Sequence, residues 1–269
     1  MIQDNELELL INEVYENYGY DFSGYSMASF KRRVDRLYQM DAFTNFKAFL
    51  EKVIDDSDYF SRMVEEITVN ITEMFRDPHF YKVLRTEILP VLATKPFIRL
   101  WHAGCSTGEE VYSMAILLKE ANLLEKSLLY ATDISPMVLD VARKGVFPLR
   151  MMKQYSENYM NSGGKEDFSD YYTANYGLAK FGEDLSSKMV FSQHNLVSDR
   201  SFNEFDLILC RNVLIYFDKD LQERAFHLFD DSLSKLGYLA LGTKETLKYT
   251  SMQKRYKQLE KEKIWRKLH

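Results

Sequence analysis

The stretch Ile98-Arg-Leu-Trp-His-Ala103-Gly104-Cys-Ser-Thr-Gly108-Glu-Glu110 carries the first clear change of pattern in the chain. A short apolar run ends on a glycine, and Val111, Met114, Ala115, Leu117 and Leu118 then recur at helical spacing. Such a strand, loop and helix is expected to hold its loop at the carboxyl end of a parallel sheet. There Gly104 would let a ligand approach the backbone closely. The loop is neither a full G-x-G-x-x-G nor a phosphate-binding G-x-x-x-x-G-K-S/T. A tight turn alone would also explain its glycines.

Downstream, residues 128–133, 189–195, 205–210, 237–242 and 263–267 read as short apolar strands. Helical patterns at 136–144 and 219–235 alternate with them. This predicts an α/β fold with a Rossmann-like, mainly parallel sheet covered on both faces. Upstream the pattern is helical, with candidate helices at 6–18, 26–40, 43–54 and 59–67. The expected organisation is a helical N-terminal subdomain over 1–90 and a ligand-binding domain over 91–269. Residues 146–188 break the alternation and are rich in Tyr, Ser, Asn and Gly, so a small inserted subdomain is expected there. Within it, 171–174 and 177–181 suggest a hairpin.

The 269 residues carry 35 Lys and Arg against 40 Asp and Glu, a formal charge of −5. That balance argues against nucleic-acid binding as the main task. With 46% hydrophobic residues, a sizeable core can be buried. Cys105 and Cys210 are too few for a disulfide framework and fit a reducing cytosol as small packing residues. The acidic start lacks the pattern of a signal peptide, and no apolar run approaches the ~20 residues of a membrane span. A cytoplasmic protein without membrane insertion is the expectation. His79, His102, His194, His227 and His269 show no metal-ligand spacing, so no metal is expected.

Asp133 ends the second strand, where a carboxylate can hydrogen-bond ribose hydroxyls. A helix cap would explain an acid there too, although Ser135 before Pro136 serves that purpose. Glu109 and Glu110 would repel a pyrophosphate but suit a ligand with an amino group and a sulfonium. That preference favours S-adenosylmethionine over NAD.

Longer strings now narrow the reading. Asn70-Ile-Thr-Glu-Met-Phe-Arg76 resembles the N-x-T-x-F-F-R signature of the chemotaxis-receptor glutamate methyltransferases, the CheR family. Ala103–Glu110 with Tyr112-Ser113 resembles their cofactor loop, and Cys210-Arg-Asn-Val-Leu-Ile-Tyr-Phe-Asp218 their most distinctive string. Ala131-Thr-Asp133, His194-Asn-Leu196 and Gly242-Thr-Lys-Glu245 follow in the same order. The resemblance covers nearly the whole chain. It implies a class I S-adenosylmethionine methyltransferase domain capped by N-terminal helices, with S-adenosylhomocysteine as product. It implies cofactor contacts from Asn70, Thr72, Arg76, Glu110, Asp133, Asn195, Leu196, Arg211 and Asn212, with Arg76 and Tyr216 facing the reacting centre. The implied partners are the cytoplasmic helices of methyl-accepting chemoreceptors.

Two departures stand out. Met74 replaces the first of the two phenylalanines, and 155–188 does not resemble the inserted hairpins that grip a receptor tail in some members. A glutamate carboxylate is already ionised at neutral pH, so methyl transfer to it needs no general base. The acceptor must instead be stripped of water and aligned, and Arg76 and Tyr216 suit that task. Lys31, Arg32, Arg33 and Arg36 share a candidate helix, where they form either a solvated face or a docking face for an acidic partner. Two other readings stand beside this one: a class I methyltransferase for another protein or a small molecule, and a non-catalytic S-adenosylmethionine sensor.

Overall fold

The computed structural model describes residues 2–68, 72–259 and 262–269. The N-terminal helices are α1 (Asp4–Tyr18), α2 (Met27–Met40), α3 (Phe46–Asp55) and α4 (Ser57–Thr68). α1 opens on a reciprocal cap between Gln3 and Glu6 and stops at Gly19, which takes φ 71°. α3 starts later than apolar spacing predicts. The Asn45 side chain accepts the Ala48 N–H and sets the start, leaving Phe43 outside. Leu7, Leu10, Val14, Phe30, Val34, Leu37, Phe49, Val53 and Met63 close a separate core among these helices.

α5 (Pro78–Val83), a π-helical turn (Leu84–Ile88) and α6 (Leu89–Leu92) then lead to β1 (Ile98–Ala103). The chain continues through α7 (Glu109–Glu120), β2 (Ser127–Asp133), α8 (Pro136–Lys144), β3 (Val146–Pro148) and α9 (Met152–Asn161). β4 (Tyr172–Asn175), β5 (Leu178–Phe181), α10 (Glu183–Ser186), β6 (Met189–Gln193) and β7 (Phe205–Cys210) follow. α11 (Lys219–Ser232), β8 (Leu233–Leu241), β9 (Tyr256–Gln258) and β10 (Ile264–Lys267) complete it.

Among the described residues the main sheet has the order β6-β2-β1-β7-β8-β10-β9, parallel except for β10 and β9. Alternation along β1 builds a core on each face. Ile98 and Leu100 pack with α7, while Trp101 and Ala103 pack with α11. The α/β expectation therefore holds, with local differences. α11 ends at Ser232 instead of 235, because Leu233 already pairs with Phe205 before a bulge resets the register to Leu207–Tyr238. β9 lacked a legible apolar run. The inserted segment holds the expected hairpin, extended by β3 into an antiparallel sheet of order β3-β5-β4, and also α9, which was not anticipated.

The boundary expected near residue 90 cuts through a packed unit. Met74, Phe75, Phe80, Tyr81, Leu84 and Leu92 bury their side chains with the sheet rather than with α1–α4. We propose to draw the division after α4 instead. The two parts meet at a short strand-like contact. The Ser26 N–H donates to the Tyr216 carbonyl at 2.8 Å and the Asp218 N–H to the Gly24 carbonyl at 2.9 Å, while the Tyr25 ring meets Phe217 edge-on at 5.3 Å. Gly24 is needed for space, since a Cβ there would lie 2.1 Å from Leu221 Cγ. Gly24→Ala should therefore cost ~1–3 kcal/mol, read as a lower midpoint in urea unfolding. An unchanged midpoint would mean that the contact yields freely.

Candidate functional site

The carboxyl ends of β1, β2, β6 and β7 and the segment around Arg76 converge at one edge of the sheet, around a cleft of about 940 Å³ including its open mouth. Thr72, Arg76, Gly104, Glu110, Asp133, Asn195, Leu196, Arg211, Asn212 and Tyr216 all line it. Asn70 lies outside the described residues. Wall residues that the sequence reading did not assign include Tyr25, brought in by the N-terminal helices, Phe217 from the neighbouring loop, and Glu73. Tyr25 sat in no recognisable motif, so only docking of the subdomains reveals it.

The loop bearing Arg76 is fixed at several points. Its neighbours Phe75 and Asp77 take positive φ angles, 52° and 60°, which cost energy and need anchors. The Asn158 side chain donates to the Met74 carbonyl at 3.0 Å, and the Phe75 N–H donates to Ser113 Oγ at 2.9 Å. Met74 itself is fully buried in the sheet core, so this departure from the signature is a packing change.

Arg211 supplies the central anchor. Its guanidinium donates to Glu110 Oε2 at 3.0 Å, to Asp77 Oδ2 at 2.6 Å and to the Arg76 carbonyl at 3.2 Å. It lies 4.1 Å from the Phe80 ring centroid, with its side chain 3% exposed. Burial disfavours its charge, but Glu110, Tyr81 and Asp77 outweigh that and hold its pKa above the ordinary value. Expected as a cofactor contact, Arg211 has most of its donors committed to the protein. Its neighbour Glu245 plays the same part with the opposite sign. That buried carboxylate accepts N–H donors from Asn212, Val213, Leu214 and Gly242 at 2.6–3.0 Å and so holds the loop that presents Tyr216. Burial pushes its carboxyl up, and the four donors pull it back.

Asp133 is buried and serves two ends at once. Its carboxylate accepts the Ser106 N–H at 2.8 Å and the Ser135 N–H at 3.1 Å, joining the glycine loop to the start of α8. Burial raises its pKa, opposed by these donors. The capping role foreseen for the Ser135 side chain is not taken up, since it makes no cap hydrogen bond. Gly104, at φ 77°, is crowded as well: a Cβ would meet Val213 at 2.5 Å. Among the described residues, Ser106 Oγ, His194 Nδ1 and Arg211 Nε are buried without a hydrogen-bond partner, and all three residues border the cleft.

The cationic helix divides. Arg32 and Arg36 are exposed on α2, whereas Arg33 is half-buried. Arg33 donates to the Glu66 carbonyl at 3.3 Å and lies over the Tyr216 ring at 5.6 Å. Its place in a docking face is corrected by the helix's rotation, which turns it toward the body of the protein.

Comparison with known proteins covers both parts. The description "CheR methyltransferase, all-alpha domain" matches residues 5–68, and "CheR methyltransferase, SAM binding domain" matches residues 70–264. A Pseudomonas putida protein, Cher3, named as a methyltransferase, is 47% identical over 266 residues, covering 98% of this chain and 97% of that one. A chemotaxis protein methyltransferase of Borreliella burgdorferi is 33% identical, covering 92% and 90% of the two chains. Chemotaxis protein methyltransferase 2 of Pseudomonas aeruginosa is 34% identical over 80% of this chain and 76% of that one.

The paired acids at the start of α7 behave differently. Glu110 faces the cleft, and although burial raises its pKa, His102 and Arg211 outweigh that and hold it below the ordinary value. Glu109 points the other way, 6% exposed, and accepts from Thr107 Oγ1 at 2.6 Å. Burial pushes its carboxyl up to about 7. Its protonated form is thus favoured by folding. The stability it contributes is full below about 4.5 and lost as pH rises through about 7. Glu109→Gln should therefore match the parent near pH 4.5 and exceed it by ~2–3 kcal/mol at pH 8. Denaturant titrations at both pH values check this, and a constant offset would remove the titration from Glu109.

Proposed function

This chain belongs to the CheR methyltransferase family, and we propose that it methyl-esterifies glutamate side chains of chemoreceptors. The observation that carries the reading is the meeting of Arg76 and Tyr216, from loops 140 positions apart, in one cleft with Glu110 and Asp133. A carboxylate acceptor is answered there by a guanidinium and a phenol, both donors.

The cleft fits S-adenosylmethionine. Asp133 offers a carboxylate at the strand end for ribose hydroxyls, and Glu110 an anionic wall for the amino-acid end. The unpartnered Ser106 Oγ supplies a further polar group. Thr72, Gly104, Asn195, Leu196 and Asn212 complete the proposed cofactor wall, with Arg211 acting on it by holding Glu110 and the Arg76 loop. When bound, the cofactor supplies an electrophilic methyl group on a sulfonium. Arg76 and Tyr216 then replace water around the acceptor carboxylate and hold one oxygen in line, and no residue needs to remove a proton.

Product chemistry tests the reaction. With a tritiated methyl donor and receptor-bearing membranes, label should leave as methanol in mild alkali, because an ester hydrolyses and an N-methyl group does not. Alkali-stable label would overturn the acceptor assignment. Tyr216→Phe should bind S-adenosylmethionine nearly as the parent does while losing at least ~10-fold in turnover, as deletion of one directed donor implies. Unaltered turnover would return Tyr216 to a packing role.

Receptor helices rich in methylatable glutamates are acidic, so an exposed cationic face would attract them to an enzyme of charge −5. Arg32 and Arg36 are that face in our reading. Reversing both to Glu should raise the receptor KM several-fold, leave S-adenosylmethionine affinity unchanged and flatten the fall of activity with salt. Equal KM and salt response in parent and variant would leave these arginines merely solvated.

A further inference from the structure

β1 places His102 beneath the cleft in a way that the proposed reaction does not use. Its parity matches Ile98 and Leu100, so its ring points into the α7 layer, and it is fully buried. One ring nitrogen, Nδ1, lies 3.0 Å from Glu110 Oε1. The other, Nε2, is buried with no hydrogen-bond partner among the described residues. A carboxylate only accepts, so Nδ1 must carry the proton.

Glu110 is therefore gripped through both oxygens, by His102 at Oε1 and by Arg211 at Oε2. Arg211 is shared between Glu110 and Asp77, one cation for two carboxylates. The imidazole N–H fixes the Glu110 oxygen that Arg211 does not reach.

We propose that His102 is a positioning residue that fixes the Glu110 carboxylate against the amino-acid end of S-adenosylmethionine. This rests on the reading of Glu110 as a cofactor contact. It assigns a role to a core histidine that the cleft itself does not expose. The effect on binding should be confined to ligands that reach Glu110, which separates positioning from general support of the fold.

Two ligands make the test. S-adenosylmethionine carries the amino-acid end, and 5′-methylthioadenosine lacks it. His102→Leu should weaken the first ~10-fold by calorimetry and change the second less than ~2-fold, and His102→Asn, which keeps an N–H near the place of Nδ1, should recover most of the loss. Equal weakening of both ligands, or none of either, overturns the proposal. Glu110→Gln is measured alongside. If it weakens S-adenosylmethionine while His102→Leu does not, the role of His102 alone fails; if Glu110→Gln has no effect, the reading of Glu110 fails with it. Imidazole ¹⁵N shifts of the unaltered protein require no variant to fold. They should report a proton on Nδ1 of His102, and an Nε2–H tautomer overturns the assignment.

Discussion

One buried cation organises the whole cleft. Arg211 directly follows β7, and its guanidinium reaches the α7 acid, the acid beside Arg76 and the Arg76 carbonyl. Without it the mostly buried Glu110 carboxylate would lose its charged partner, which costs several kcal/mol. With it, three segments far apart in the chain are held in register, and the ring of Phe80 closes the other face of the guanidinium. Arg suits this position as Lys would not, since its planar fork reaches several acceptors at once.

The opposite charge does comparable work on the other loop. Glu245 gathers four backbone N–H groups, which otherwise would be orphaned where the chain turns through Asn212 at φ 63°. Tyr216 is thereby held from below by Glu245 and from the side by the N-terminal helices, whose Ser26 and Arg33 touch its carbonyl and its ring. The same helices supply Tyr25 to the wall of the cleft, and Tyr20 donates to the Ile134 carbonyl at 3.1 Å. The helical part is thus a structural wall of the site.

Charge is distributed with similar economy. Glu109 and Glu110 are adjacent, yet successive helix positions point about 100° apart. One is buried against Thr107 with a raised pKa; the other is held ionised in the cleft. The cleft thus carries the anionic Glu110 beside the donors Arg76 and Tyr216, and Arg211 and Glu245 anchor the loops that bear them.

Much of this was legible in the residues. Apolar strands of even spacing and the glycine loop sufficed for the α/β sheet, and the resemblance of the motifs to a known family for a common cleft containing Asp133, Glu110, Arg76 and Tyr216. These are local patterns, set by side-chain periodicity, by glycine's conformational freedom and by short strings. What was not legible depends on pairs distant in the chain. Arg211 and Asp77 are 134 positions apart, and Asn212 and Glu245 are 33 apart. No periodicity marks which polar residues meet after folding, nor that Arg33 would turn inward while Arg32 and Arg36 stay in water. The start of α3 and the end of α11 were likewise decided by a cap and by a strand pairing, both competing with apolar spacing. The sequence by itself determined which elements form and which residue types they carry to the sheet's edge. Only the tertiary structure decided which of those polar groups are left for a ligand, because a buried charge first takes whatever partners the packing brings to it.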